Sequence, residues 1–192
     1  MDDRIADYPK SMAPLEGLEG YLGCALLVQR ESNTAISVTY WATPESRQAS
    51  EGVSARIRAQ VVGDRVRQIE IDRTEQVISE RVTPPGDQVR FSRVSQFYGL
   101  PDNLDAGIAF ARDKALPVLK QQPGFRAFIV SVNRDTGRML AASVWDSPEA
   151  RAASAAAVAG PRDEAARVLG ASSAVVENFE NVYVNVKLPT PA

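Results

Sequence analysis

The chain contains no histidine. That absence removes the side chain that most often serves as general base, transition-metal ligand or haem ligand near neutral pH, and with it His-containing triads, zincin motifs and histidine-ligated haem. Cysteine is nearly absent too. Cys24 stands alone among 192 residues, so neither an intrachain disulfide nor a cysteine-based zinc site can form. Set in an apolar stretch, it reads as a small core residue rather than a nucleophile. No apolar run is longer than Cys24 to Val28, far short of the roughly 20 residues a membrane-spanning helix needs. The opening MDDRIADYPK is acidic and polar, without the apolar core of a secretory signal. Basic excess is lacking as well: 22 Lys and Arg stand against 24 Asp and Glu, a net charge of -2 with a pI near 5.3. Such a balance offers no footprint for nucleic acid. The expectations are therefore no nucleic-acid partner, no membrane and, by default, a cytoplasmic location.

What is present is an internal repeat. Adding 104 to each number from Gly20 to Ser50 aligns that segment with Gly124 to Ser154 without a gap, and nine of the 31 pairs are identical. They include Gly20/Gly124, Arg30/Arg134, Trp41/Trp145, Pro44/Pro148, Arg47/Arg151 and Ser50/Ser154. Chance would give about two or three in so Ala-rich a composition, so duplication is the sensible reading. Each copy reads as strand, polar turn, strand, helix: apolar strand-formers flank Arg30 to Thr34 and Arg134 to Arg138. After each tryptophan comes Thr43-Pro44-Glu45 or Ser147-Pro148-Glu149, a capping hydroxyl, a proline at the first helical position and a carboxylate at the positive end of the helix dipole. β-like segments follow at Gln76 to Val82 and Val175 to Lys187.

The second copy also has a front, a strand over Val89 to Tyr98 and a helix opening near Asp102 or Asn103, with Leu104, Ile108, Ala111, Ala115 and Leu119 on one face. Pro117 should bend or tighten that helix near its end. The order β-α-β-β-α-β is a ferredoxin-like split βαβ unit. The expected fold class is thus α+β, with two such units in tandem: residues 1–82, a linker at 83–88 around Pro84-Pro85-Gly86, and residues 89–188. With only 19 residues ahead of Gly20, the first unit is expected to lack its first strand or to have an irregular one.

Pro-Gly-Phe opening a strand, a polar turn, then a second strand ending in Trp-x-Ser-Pro-Glu-Ala resembles the antibiotic biosynthesis monooxygenase (ABM) group of dimeric α+β barrels. Pro123 to Ala150 carries the better match and Tyr21 to Ser46 a weaker echo. The resemblance implies two ferredoxin-like sheets facing each other as a barrel, here with one chain supplying both halves. It also implies a pocket for an aromatic or quinol-type small molecule and possible cofactor-independent monooxygenase chemistry. Trp41 and Trp145 match the family's tryptophan at the strand-to-helix junction. The haem-degrading branch also requires a histidine on the following helix and an asparagine in the first strand, and this chain has neither.

Strand alternation places Ser37, Thr39 and Trp41 on one face against Ile36, Val38 and Tyr40 on the other, and Ala141, Ser143 and Trp145 against Leu140, Ala142 and Val144. A face of small and hydroxyl-bearing residues ending in an indole suits a ligand cavity, while a cap on the hydrophobic core is the commoner role of a tryptophan at such a junction. The ligand-binding candidates are Trp41 and Trp145 as walls, with Thr39, Tyr40 and Ser143 as polar contacts. No catalytic residue, metal site or cofactor is assigned. The competing reading is a non-catalytic binding or assembly module, in which the sheet edge left by the shortened first unit drives self-association.

Overall fold

The computed structural model describes residues 2–62, 68–82 and 90–187. They form an α+β fold that divides into two units, one of the described residues within 2–71 and 181–187, the other of those within 72–82 and 90–180. No helix among the described residues is long and apolar enough to cross a membrane. The proposed linker 83–88 lies outside the described residues.

In the first unit, helix α1 (Asp2–Met12) and a 3₁₀ turn (Ala13–Leu15) precede the hairpin of β1 (Tyr21–Gln29) and β2 (Thr34–Trp41). Helices α2 (Pro44–Ala49) and α3 (Glu51–Val62) follow. A helix therefore stands where the second copy carries a strand and a helix. The strand order in this unit is β2-β1-β7, the last contributed by the end of β7 (Ala174–Val186). Tyr8, Met12 and Leu15 pack with Cys24, Leu26, Val28 and Ile57 into one buried cluster. Cys24 is thus core, and burial raises its thiol pKa, as expected of an unreactive thiol.

The second unit runs β4 (Arg90–Tyr98), a 3₁₀ turn (Pro101–Asn103), α4 (Leu104–Phe110), a π-helical turn (Ala111–Ala115), α5 (Leu116–Lys120), β5 (Phe125–Asn133), β6 (Arg138–Trp145), α6 (Pro148–Ala153), α7 (Ala155–Leu169) and β7. Strand order is β7-β4-β6-β5-β3, with β3 (Glu75–Arg81) antiparallel to β5 at the edge. β7-β4-β6-β5 is the ferredoxin-like arrangement. The added β3 is the segment that the sequence sets at the end of the first copy. Pairing partners of an edge strand are set by what lies beside it in space, which sequence adjacency does not reveal.

The repeat has a conformational counterpart, since β1, β2 and α2 plus 104 give the bounds of β5, β6 and α6 residue for residue. Asn33 and Gly137, paired by the same offset, both take positive φ (54° and 72°) at the hairpin turn. Thr43 and Ser147 cap their helices by accepting from the amides of Ser46 and Ala150. Ser50 and Ser154 end them, each donating to the carbonyl of the repeated arginine, Arg47 at 2.7 Å and Arg151 at 2.8 Å. Gly20 and Gly124 (φ 74° and 77°) lie where a Cβ would strike the helix start, Ser46 in one case and Ala150 in the other. The expected face of the second copy's first helix is buried at Leu104, Ile108, Ala111 and Leu119. The distortion falls ahead of Pro117, in the π turn, because the proline cannot donate the backbone hydrogen bond that would continue the α ladder. Where β6 turns into α6, Asp146 is gripped by Arg126 through both carboxylate oxygens and by Arg90.

Candidate functional site

A cavity of about 60 Å³ lies in the second unit between the sheet and its helices. The floor is three cross-strand pairs of β4 and β6, Arg93 opposite Ser143, Ser95 opposite Ala141 and Phe97 opposite Met139, all facing inward. Ala111 and Ala115 of the π turn and Pro161 and Ala165 of α7 form much of the helical wall. The space exists because small side chains meet across it where larger ones would interdigitate. The π turn and the mid-helix Pro161 of α7 both border the cavity.

Ser143 lines the cavity, but most of its hydrogen-bonding capacity is already used. It accepts from the Trp145 indole at 3.0 Å and donates to the Arg93 carbonyl at 3.5 Å. Trp145 is 0% exposed, packs edge-on against Phe125 with ring centroids 5.8 Å apart, and stands behind the wall rather than on it. The first unit repeats this local geometry. The Trp41 indole donates to Thr39 at 3.1 Å and lies edge-on to Tyr21 at 5.2 Å. There, however, Tyr8 covers the strand face: its buried hydroxyl donates to the Ala25 carbonyl at 3.0 Å and shares a 2.8 Å hydrogen bond with Ser37. Desolvation pushes that hydroxyl's pKa well up, so it stays a neutral donor. Tyr40 pairs with Gly23, one register step from the Cys24 and Thr39 pair, and so points to the opposite face from Thr39 and Trp41. The structure thus brings Ser143 and Trp145 together beside the cavity and sets Thr39 and Trp41 together in the first unit.

The side chain that sequence reasoning passed over is Arg93. It is 7% exposed and lines the cavity. Its Nη1 donates to Ser154 Oγ at 2.9 Å, its Nη2 donates to the Arg151 carbonyl, and its guanidinium lies 6.0 Å from the Trp145 ring centroid. Among the described residues no carboxylate lies within ion-pair distance of it. Burial lowers its pKa, and the charges of Arg151 and Arg162 lower it further. Arg162 is the cavity's second cationic wall residue, 3.7 Å from Asp163, which is itself largely exposed. Arg151 donates to the carbonyls of Ser92 and Phe179, 3.2 and 3.1 Å away. A signal existed in the sequence: Arg93 shares the period-two register of Phe91, Ser95 and Phe97. What it faces is a tertiary matter.

Polar side chains away from the cavity have structural partners. Arg30 pairs with Asp2, and Arg134 with Glu75 and Asp105, all at exposed positions. Tyr98 is 57% exposed beneath the Arg138 guanidinium, and the exposed Asn185 donates to the Tyr183 hydroxyl. Among the described residues no group of three or more His, Cys, Asp or Glu is placed to hold a metal ion.

Comparison with solved structures decides the fold. The chain superposes over its full length on 92% of an anthrone oxidase-like protein, with a TM-score of 0.71 at 17% identity. It is similar over 92% of its length to an uncharacterized ferredoxin-fold protein of Listeria monocytogenes related to antibiotic biosynthesis monooxygenases, covering 88% of that chain (TM-score 0.52, 12% identity). The fold is of the ABM type. A proposed monooxygenase from Lactobacillus acidophilus NCFM shares it, with 97% of this chain and 89% of that one covered (TM-score 0.67, 11% identity). In sequence, the chain is 26% identical over 179 residues to the uncharacterized protein Rv2558 of Mycobacterium tuberculosis H37Rv, covering 93% of this chain and 75% of that one. It is 30% identical over 145 residues to Rv2557 of the same strain, 72% of this chain and 62% of that one. No family model matches the chain.

Proposed function

We propose that this protein is an ABM-type small-molecule-binding protein that acts as a cofactor-independent monooxygenase on an aromatic or quinol-type substrate. The observation that carries the reading is the second unit's cavity, set between sheet and helices, lined in part by small side chains and faced by the buried Arg93. An electron-rich ring docked there is partly shielded from water and fixed in orientation for reaction with dioxygen. The fixed guanidinium faces the oxyanion that develops on the ring. Ser143 offers its remaining lone pair, and Trp145 holds Ser143 from behind. The anthrone oxidase-like and proposed monooxygenase neighbours support the same direction at the level of fold. The 104-residue offset supports tandem duplication, with segments 1–82 and 89–188 as the two ferredoxin-like copies of a pseudo-dimeric α+β barrel, and a cytoplasmic location is kept as the default reading. Ala115 lines the cavity and is only half-buried, so Ala115→Leu fills the space at modest cost to folding. Wild-type protein is expected to consume oxygen with substituted hydroquinones, and Ala115→Leu to lose both that uptake and ligand quenching of tryptophan fluorescence. Equal uptake in the variant places the chemistry elsewhere, and no uptake across the panel removes the monooxygenase reading.

One observation favours assembly as a second role. β2 carries no charge and no proline, and among the described residues it pairs only with β1, whereas its counterpart β6 pairs with both β5 and β4. An unguarded edge of this kind recruits another strand, and a second copy is the simplest source. Sedimentation at micromolar concentrations should show a homodimer or larger species, and a strictly monomeric boundary refutes it.

A further inference from the structure

We infer that the second unit's cavity is built for an anion, a single aromatic ring bearing one deprotonated oxygen group, carboxylate or phenolate, held against the guanidinium of Arg93. Ligand charge and ligand size are thereby added to the reading of this cavity as the ligand site, on which they rest.

The charge follows from what surrounds Arg93. A buried guanidinium is normally matched by a carboxylate, because an unmatched charge in a low-dielectric interior is costly. Here both contacts of the group are to neutral acceptors, Ser154 Oγ and the Arg151 carbonyl. The other charges that act on it are the cations Arg151 and Arg162. The acids near this cluster are committed elsewhere, Asp163 beside Arg162 and Glu180 acting on Arg151. Among the described residues no carboxylate lines the cavity. Two of the five guanidinium N–H groups have those neutral partners, so donors remain for an oxygen ligand. A fold that needed only to fill this position would do so with an aliphatic side chain. A persistent positive charge on the wall of an otherwise apolar space is explained by a negative charge that arrives with the ligand.

The size follows from the volume. About 60 Å³ corresponds to roughly four to six waters, well below the roughly 150 Å³ of a cavity that takes benzene, so the space receives the oxygen group and the edge of one ring, with the rest of the ring at its open side. Phe97, Phe128 and Met139 supply apolar and sulfur contacts for the ring.

The test uses the full chain with 4-nitrophenol, 4-nitrobenzoate and the neutral nitrobenzene. Below the free ligand's pKa, adding protein should raise the 4-nitrophenolate absorbance, equivalent to an apparent ligand pKa lowered by about one unit or more. 4-Nitrobenzoate should compete for the site, and nitrobenzene should bind at least about tenfold more weakly. Arg93→Met should abolish the absorbance rise while still binding nitrobenzene, and Arg162→Gln should reduce it. If nitrobenzene competes as well as the anions and the phenol stays protonated, the anion assignment is overturned while the small-molecule cavity stands. If none of the three binds by calorimetry, the ligand-site reading fails and takes the anion with it. Anion binding without oxygen uptake upholds the inference and removes only the monooxygenase chemistry.

Discussion

Replacing Arg93 by methionine should cost the fold little. A buried charged residue that stabilises its protein is destabilising to remove, by about 3–5 kcal/mol where a buried pair is broken. Arg93 has no such pair among the described residues. Its removal forfeits two charge-assisted hydrogen bonds, about 1.5–3 kcal/mol each, and a cation–π contact of about 0.5–2 kcal/mol with Trp145. Against this stands relief of the guanidinium's desolvation, several kcal/mol, together with repulsion from Arg151 and Arg162. The partners left behind are not orphaned, because Ser154 Oγ already donates to the Arg151 carbonyl at 2.8 Å. Methionine fills a similar volume with adaptable apolar atoms. Loss and gain are of the same order, so the net change should stay below about 3 kcal/mol. Urea unfolding followed by tryptophan fluorescence and far-UV circular dichroism, with coincident transitions as the two-state check, measures it. A loss above about 3 kcal/mol would refute the reasoning and make Arg93 a structural residue.

Two further perturbations probe the frame around the cavity. Gly124→Ala forces a side chain into the left-handed region, about 1–2 kcal/mol, and sets a Cβ 2.7 Å from that of Ala150. With overpacking added, the loss should be about 2–4 kcal/mol, and a second change, Ala150→Gly, should recover only the steric part; a loss under about 1 kcal/mol contradicts this account. Asp146 is held below its ordinary pKa first by Arg126 and then by Arg90. A depressed carboxylate contributes stability that is complete above its unfolded pKa, about 3.9, and is lost as pH falls through the lower folded value. Asp146→Asn should therefore be less stable than wild type at neutral pH and converge with it in acid, and a constant difference down to about pH 2 would show that the ion pairs are not the cause.

Much of the local structure was legible because it depends on neighbours in sequence. The hairpin turns, the Thr43 and Ser147 caps, the prolines at the first helical positions and the buried face from Leu104 to Leu119 are set by short-range sterics, hydrogen bonding and periodicity. The 104-residue offset is a property of sequence alone and reappears in the bounds of β1, β2 and α2 against β5, β6 and α6. The alternation that groups Ala141, Ser143 and Trp145 was legible for the same reason.

Tertiary structure decided what each of those faces meets. β3 lies beside β5, since strand pairing is a long-range choice made by available edges. Thr39 and Ser143 occupy equivalent positions, yet Tyr8 of α1 covers the first face while small side chains and a π turn leave a cavity over the second. Trp145 went behind the wall because its indole found Ser143 and Phe125. Arg93 is an ordinary strand residue on paper. It becomes the central residue of the site only when α6 and α7 close over β4 and enclose a charge with no carboxylate to meet it among the described residues, since burial and the sum of surrounding charges are properties of three dimensions.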